Sequence, residues 1–214
     1  IIVSKTKRVI ILELHDDDER LNIIMEAISA VMDVAGIHAL EYIPKIWSRA
    51  MNILQSADKE NIDLLSTALM VLTAIIASTG SKIQQLVMSS NLVGYLDSII
   101  SQDCDSEELQ ESLYSVIGDL ARQCPQALQV DNNCVLTRIV GKLFQVLKTT
   151  LNSNAVLNNA AWALACIIDM IGFDSDKSLY NEAAACYSTI LMRPTLSAIL
   201  FANVTYALAA VALR

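Results

Sequence analysis

Four helix-ending sequences recur along the chain at nearly constant spacing, and this repeat is the strongest constraint on the fold. Each sequence closes an apolar run of helical periodicity, and the four end at Gly36, Gly80, Cys124 and Gly172. They are separated by 44, 44 and 48 residues, and a second helical segment follows each one. A single unit of this size has too little core to fold alone, so neighbouring units must stack. The sequence therefore predicts a chain built by repetition of helix pairs.

The composition also favours long helices with short connections. Of the 214 residues, only six are Gly and three are Pro, while 54% are hydrophobic and 18% are charged. So few turn residues argue against a sandwich or a barrel, and the apolar content excludes disorder for most of the chain. A two-helix period of about 40–47 residues is typical of HEAT and armadillo repeats. We predict an all-α HEAT-repeat solenoid, a right-handed superhelical stack of antiparallel helix pairs.

We expect residues 1–214 to form one continuous array of about five helix pairs. Because the chain does not begin with Met and stops in apolar helix, we interpret it as a C-terminal fragment of a longer solenoid. Pro194 is expected at the start of the last helix, where its missing N–H does no harm. After a first helix near Leu21, the predicted segments are Leu40–Gln55, Lys59–Ser78, two pieces of Ser81–Ile100 broken near Asn91, Ser106–Gln123, Cys134–Leu151, Ala155–Ile171, Leu179–Leu191 and Thr195–Leu213.

Charge and cysteine usage narrow the functional class. The net charge is −8 with no dense basic stripe, which argues against a nucleic-acid partner and suits a basic one. The longest apolar stretch, Ala198–Leu213, is shorter than the ~20 residues of a membrane span, so no membrane insertion is expected. The cysteines are odd in number and lack CxxC spacing, so we expect free buried thiols in a reducing compartment. They are Cys104, Cys124, Cys134, Cys166 and Cys186.

Catalytic and metal-binding motifs are absent from the sequence. There are two histidines, no Gly-rich phosphate loop, no HExxH and no Gly-x-Ser-x-Gly. We therefore predict no enzymatic activity, no cofactor and no metal site.

A ladder of polar and aromatic residues interrupts the apolar helices at the repeat spacing. Asp119 and Trp162 are 43 residues apart, and Asn203 follows after another 41, so the three should face the same side in successive units. Asn158 lies four residues before Trp162, on the same helix face. An acid, an indole and two amides would suit a basic, extended peptide. The alternative is structural, with Asn side chains that bond the neighbouring repeat and a Trp in the core; Trp47, on the other helix of its unit, is expected to pack.

Four sequence strings resemble the transportins, the karyopherin-β2 nuclear import receptors of the importin-β superfamily. The similarity covers roughly residues 65–213 and fades before them. The strings, in order, are Gly80-x-x-Ile-Gln-Gln-Leu-Val-Met-Ser-Ser-Asn-Leu, Ser-Val-Ile-Gly-Asp119-Leu-Ala-Arg, Asn158-Asn-Ala-Ala-Trp162-Ala and Arg193-Pro-Thr with Asn203 downstream.

This resemblance implies a function and a set of partners. Transportins carry cargo through the nuclear pore by binding a proline-tyrosine nuclear localisation signal on their concave face. It implies that Asp119, Asn158, Trp162 and Asn203 contact the basic or hydrophobic part of the signal. It also implies Ran-GTP and nucleoporins as partners of the full-length protein, which would shuttle between cytoplasm and nucleus.

One departure from the family weakens the expected preference for basic cargo. Transportins have acidic residues on the helix before Gly80, at the positions held here by Met70 and Ala77. The other reading left open is a HEAT-repeat scaffold for a multiprotein assembly. In a scaffold, Trp162 would be buried and no linear peptide would bind.

Overall fold

In a computed structural model, the described part of the protein consists of stacked α-helices joined by short connections that include 3₁₀ turns. The prediction of an all-α HEAT-repeat fold is confirmed. The structure describes residues 20–58, 60–102, 106–129, 134–149, 152–172 and 177–212. The helices are α1 (Arg20–Ala35), α2 (Ile43–Ser56), α3 (Ile62–Thr79), α4 (Gln84–Ser89), α5 (Leu92–Ser101), α6 (Glu107–Gln123), α7 (Cys134–Lys148), α8 (Asn154–Ile171), α9 (Lys177–Leu191) and α10 (Ala198–Ala212).

The long helices stack in two layers. Layer A consists of α1, α3, α6, α8 and α10, each packed against the next in that order. Layer B consists of α2, α5, α7 and α9, which contact one another more sparsely. Between the layers, α3 packs on α2, α8 on α7 and α10 on α9, so these layer A helices pair with the helix before them. The apolar core lies between and along the layers.

Hydrogen bonds between neighbouring units join residues one repeat apart, which explains the regular stacking. In layer A, the hydroxyls of Ser66 and Ser112, 46 residues apart, are 2.7 Å from each other. In layer B, Arg138 donates to both carboxylate oxygens of Asp97, 41 residues away, at 2.8 and 2.5 Å. Because each bond spans about one sequence period, the repeat inferred from the helix ends is also the structural repeat.

Three of the four helix-ending positions need glycine. Gly36, Gly80 and Gly172 have φ values of 49°, 59° and 78°, a conformation that other residues adopt only with strain. The fourth position, Cys124, has φ −133° instead and is followed by a 3₁₀ turn. Glycine thus allows the backbone to leave the helical conformation at these three positions.

The predicted start of the last helix was wrong. Helix α10 begins at Ala198 rather than at Thr195, because the Ser197 hydroxyl accepts a hydrogen bond from the Leu200 N–H at 3.2 Å. Pro194 lies in the connection before it, next to Arg193, whose guanidinium donates to the Asn152 carbonyl at 3.3 Å. The predicted break near Asn91 is confirmed, since α4 ends and α5 begins on either side of it.

Trp47 and three of the cysteines lie in the core, as predicted. Trp47 is 2% exposed, and the free thiols of Cys124, Cys166 and Cys186 are buried. Cys134 is also free but is exposed, contrary to the prediction, because it occupies the first position of α7. The prediction for Cys104 lies outside the described residues.

Among the described residues, three stretches are long and apolar enough to cross a membrane by length and composition alone: Arg20–Ala39, Ile62–Ser89 and Asn154–Ile171. The last two contain α3 and α8, each of which has a layer A neighbour on both sides. Packing on two flanks requires apolar residues around most of the helix, so the stack itself accounts for their hydrophobicity. The expectation of no membrane insertion stays a prediction.

Candidate functional site

Trp162 lies in the seam between α8 and α6, packed closely against a glycine. A methyl group at Gly118 would be 2.6 Å from the indole Cδ1 and 2.7 Å from Nε1. Such distances are shorter than any real contact, so Trp162 requires glycine at this position of α6. The indole is half-buried, in contrast to the fully buried Trp47.

Arg122 covers a face of this indole. It lies one turn after Gly118 on α6, and its guanidinium carbon is 5.4 Å from the centroid of the Trp162 ring. A guanidinium in this position makes a cation–π contact, worth roughly 0.5–1 kcal/mol at an exposed site. Arg122 itself is exposed, so the contact forms at the surface of the layer.

Asp119 is half-buried on α6 and is less acidic than an ordinary aspartate. Burial raises the pKa of Asp119 to about 6, although the Arg122 guanidinium lowers it in part. Burial also raises the pKa of the Cys166 thiol to about 12, with a smaller contribution from the Asp119 charge. Asp119 therefore faces α8, and it is ionised at neutral pH at a cost in desolvation.

The asparagines form a hydrogen-bonded chain across three layer A helices. The Asn203 amide of α10 donates to Asn158 Oδ1 on α8 at 2.9 Å, and Asn158 donates to Asn159 Oδ1 at 3.1 Å. Asn159 then donates to the Glu111 carbonyl of α6 at 3.0 Å. These asparagine side chains therefore bond neighbouring repeats, which is the structural alternative considered from the sequence. Each amide has further donor and acceptor positions, because it carries two N–H groups and two lone pairs.

A cleft of about 770 Å³ opens between α6, α8 and α10. Two of the four predicted site residues, Trp162 and Asn203, line it. Asn158 and Asp119 do not line it, although Asn158 is hydrogen-bonded to the lining residue Asn203 and Asp119 interacts electrostatically with the lining residue Arg122. The lining residues are Ala121, Arg122, Pro125, Gln126, Gln129, Trp162, Ala165, Cys166, Asp169, Met170, Asn203 and Tyr206.

Among the residues of this cleft region that sequence reasoning missed are Gly118, Arg122 and Tyr206. Gly118 and Arg122 lie one turn apart on α6, and Tyr206, which is 61% exposed, follows Asn203 by three residues on α10. Helical spacing placed them on the faces already predicted, and this signal was available. Which of these residues contacts Trp162 depends on the register between neighbouring helices, and the spacing of residues along the sequence does not determine that register.

The two positions that depart from the transportin pattern are on α3. Met70 and Ala77 are both exposed, and Met70 has 44% of its surface accessible. Within the described ranges, no group of three or more His, Cys, Asp or Glu side chains is placed to hold a metal ion.

Comparison with known proteins places this architecture in a family. Residues 19–210 match the family model described as proteasome component ECM29, N-terminal. The chain belongs to this family. The match therefore covers α1 to α9, most of α10 and all four predicted site residues.

Individual relatives include transportins. Transportin-1 of Mus musculus and of Homo sapiens are each 24% identical over 177 residues, covering 75% of this chain and 19% of the relative. Transportin-1 of Oryza sativa subsp. japonica is 24% identical over 196 residues, covering 85% and 21%. A solved structure, the designed armadillo repeat protein YIII(Dq)4CqI, has a TM-score of 0.49 at 15% identity, covering 92% of this chain and 95% of that chain.

These findings support a HEAT-repeat protein of the broad importin-β type and do not single out transportin. The chain spans about a fifth of the length of the curated relatives it matches, at 19% and 21%. The matched family describes an N-terminal part of ECM29, whereas the transportin resemblance implied a C-terminal position.

Proposed function

We propose that the chain binds an extended peptide segment of a partner protein along layer A, anchored in the cleft between α6, α8 and α10. The carrying observation is that Trp162 packs against the apolar core yet keeps part of its surface open to the cleft. Aromatic side chains in such positions supply large contact areas for a ligand. Tyr206 and Asn203 add a second aromatic ring and an amide to the same cleft.

Each of the four predicted residues has a role in this proposal. Trp162 packs against an aliphatic or cationic side chain, and Asp119 pairs with a lysine or arginine. Asn158 and Asn203 bond the peptide backbone with the amide positions that their mutual hydrogen bond leaves over. Affinity then comes from several helices, as expected for an extended ligand on a repeat surface.

We further propose that the segment is a nuclear localisation signal of the proline-tyrosine type, with basic or hydrophobic residues. The support is the 24% identity to Transportin-1 together with the strings around Asp119, Trp162 and Asn203. Through a longer protein, the partners would be import cargo, Ran-GTP and nucleoporins, and the protein would shuttle between cytoplasm and nucleus. Layer A would be the concave face, with no nucleic-acid partner and no chemistry of its own.

Titration with a labelled basic-hydrophobic localisation peptide tests this proposal. We expect the wild-type chain to bind the peptide with micromolar or tighter affinity. Trp162→Ala should weaken this affinity at least about tenfold, because it removes an aromatic side chain of the kind that forms binding hot spots. Met88→Ala is the matched control, because Met88 is 46% exposed and apolar but does not line the cleft. No binding by a folded wild-type chain, or equal binding by the Trp162 variant, would contradict the proposal.

A second candidate function is a scaffold within a proteasome assembly. The family match supports it, because that family is described as a proteasome component. The asparagine chain between α6, α8 and α10 also fits a scaffold, since it stiffens the stack. Purified proteasome bound by the wild-type chain and equally by Trp162→Ala, without binding of the peptide, would favour this function.

A further inference from the structure

We infer that Arg122 determines which side chains the Trp162 position of the cleft accepts, by selecting against basic ones. The inference rests on the proposed function, because it concerns the ligand of the same cleft. Its basis is geometric: the guanidinium of Arg122 occupies an indole face that a ligand side chain would use.

The Cδ1–Nε1 edge of the indole is also closed to a ligand. Cδ1 and Nε1 of Trp162 are against the backbone of α6 at Gly118, so close that a methyl group there would clash. A ligand side chain therefore approaches the ring from the cleft, where Arg122 lies. It must either displace the guanidinium or pack beside it.

The charged groups facing this position decide which of these happens. From α6 they are Arg122 and the half-buried Asp119, and from α8 Asp169, which lines the cleft. The cleft-lining residues of α10 are Asn203 and Tyr206, which are uncharged at neutral pH. The cation in contact with the ring is thus Arg122, and a ligand ammonium or guanidinium must compete with it for the ring face, while Asp119 and Asp169 attract either cation alike.

Displacement of Arg122 loses an existing interaction. A basic ligand side chain exchanges one cation–π contact for another, so its net gain from the indole is small. An aliphatic side chain can pack beside the Arg122 stem and keep the contact in place. The exposed apolar Met70 on α3, where the transportin resemblance implied an acid, points away from basic selectivity as well.

The test compares two labelled peptides on the wild-type chain and on Arg122→Ala. One is the basic-hydrophobic localisation peptide, and the other has glutamine at each Lys and Arg. We expect Arg122→Ala to bind the basic peptide about two- to fivefold more tightly, because the ligand no longer has to replace a cation–π contact of that strength. The affinity for the glutamine peptide should not change. Lys45→Ala is the matched control, because it removes the same charge at an exposed position of α2 in layer B.

A second readout needs no peptide. Trp47 is 2% exposed, so acrylamide quenching of the indole emission reports mainly on Trp162. We expect the quenching constant to rise in Arg122→Ala and to stay constant in Lys45→Ala, with circular dichroism confirming equal helicity.

The outcomes separate the two proposals. Unchanged quenching in Arg122→Ala would show that Arg122 does not cover the ring, which overturns the inference. Suppose that the wild-type chain binds the basic peptide. If Arg122→Ala then binds it no more tightly than the wild type, or if Lys45→Ala shows the same gain in affinity, the inference is overturned and the proposed function stands. No binding of either peptide by any variant would overturn both.

Discussion

At the scale of single residues, the position of Trp162 depends on the absence of a side chain at Gly118. A Cβ there would lie 2.6 Å from the indole and 3.3 Å from the Ala163 Cα, and the Ala163 backbone cannot move away easily, so the indole must shift. Gly118→Ala should therefore push the indole outwards and destabilise the chain by about 1–3 kcal/mol, a typical penalty for overpacking. Denaturant unfolding and acrylamide quenching would measure the two effects.

Gly141 supplies the control for this substitution. It lies in the interior of α7 with open space where a Cβ would be. Gly141→Ala should stabilise the chain by about 0.5–1 kcal/mol, since alanine restricts the unfolded chain and favours helix. Equal effects of the two substitutions would show that Trp162 does not pack on Gly118.

Asp119 should lower stability at neutral pH. Its pKa rises from 3.8 in the unfolded chain to about 6 in the folded one, so the folded state favours the protonated form. The stabilisation that comes from the protonated carboxyl is complete below pH 3.8 and is lost as the pH rises through about 6. Asp119→Asn should therefore stabilise the chain by about 1–2 kcal/mol at pH 7, after allowance for solvent screening.

Unfolding by urea at pH 7 and at pH 4 checks this prediction. The gain from Asp119→Asn should shrink towards zero at pH 4, because the wild-type carboxyl is then largely protonated in the fold. A variant that is less stable than wild type at pH 7 would mean that the carboxylate has a stabilising partner, contrary to its raised pKa.

The site was predictable from sequence as a face but not as a set of contacts. The 43- and 41-residue spacings of Asp119, Trp162 and Asn203 predicted a common side, and all three lie on layer A helices. The Arg122–Trp162 contact was not predictable, because it depends on how far α6 and α8 slide along each other. That displacement is set by packing of side chains from both helices.

At the scale of helices, periodicity predicted the existence of the elements and local capping determined their ends. The apolar spacing identified the long helices, and α6 ends at Gln123 as expected. The error at Pro194 shows the limit, since proline and serine are both suitable near a helix start. Ser197 is the residue that caps the start of α10, because its hydroxyl accepts a hydrogen bond from the Leu200 N–H.

The asparagine chain should hold neighbouring helices together. Asn159→Ala removes the bond to the Glu111 carbonyl between α8 and α6. We expect a loss of about 1–2 kcal/mol, the usual effect when a partly buried hydrogen bond is broken and its acceptor is left behind. Asn52→Ala, at an exposed position of α2, is the control and should change stability by less than about 0.5 kcal/mol in urea unfolding.

At the scale of the whole molecule, each described unit depends on its neighbours. Helices α6 and α8 each have a layer A neighbour on both sides, whereas α10 packs on α8 and α9. Hydrogen exchange should therefore be slowest in α6 and α8 and faster in α10. Equal protection in all three would indicate a single cooperative unit instead of nearest-neighbour stacking.

The architecture of the whole molecule could be predicted from the sequence more reliably than its family could. Helix-ending positions 44 residues apart require stacked helix pairs, whatever the protein does. The chain is similar both to transportins and to the ECM29 family, so sequence strings that follow the repeat do not by themselves identify the partner.

The central claim is that Trp162 lies in a ligand site, and intrinsic fluorescence during a peptide titration tests it most directly. Trp47 is 2% exposed and should contribute a constant signal. We predict a saturable shift of indole emission on addition of the basic-hydrophobic peptide, lost in Trp162→Ala. Saturable binding of the labelled peptide with no change in the emission of Trp162, or no binding at all, would contradict the account.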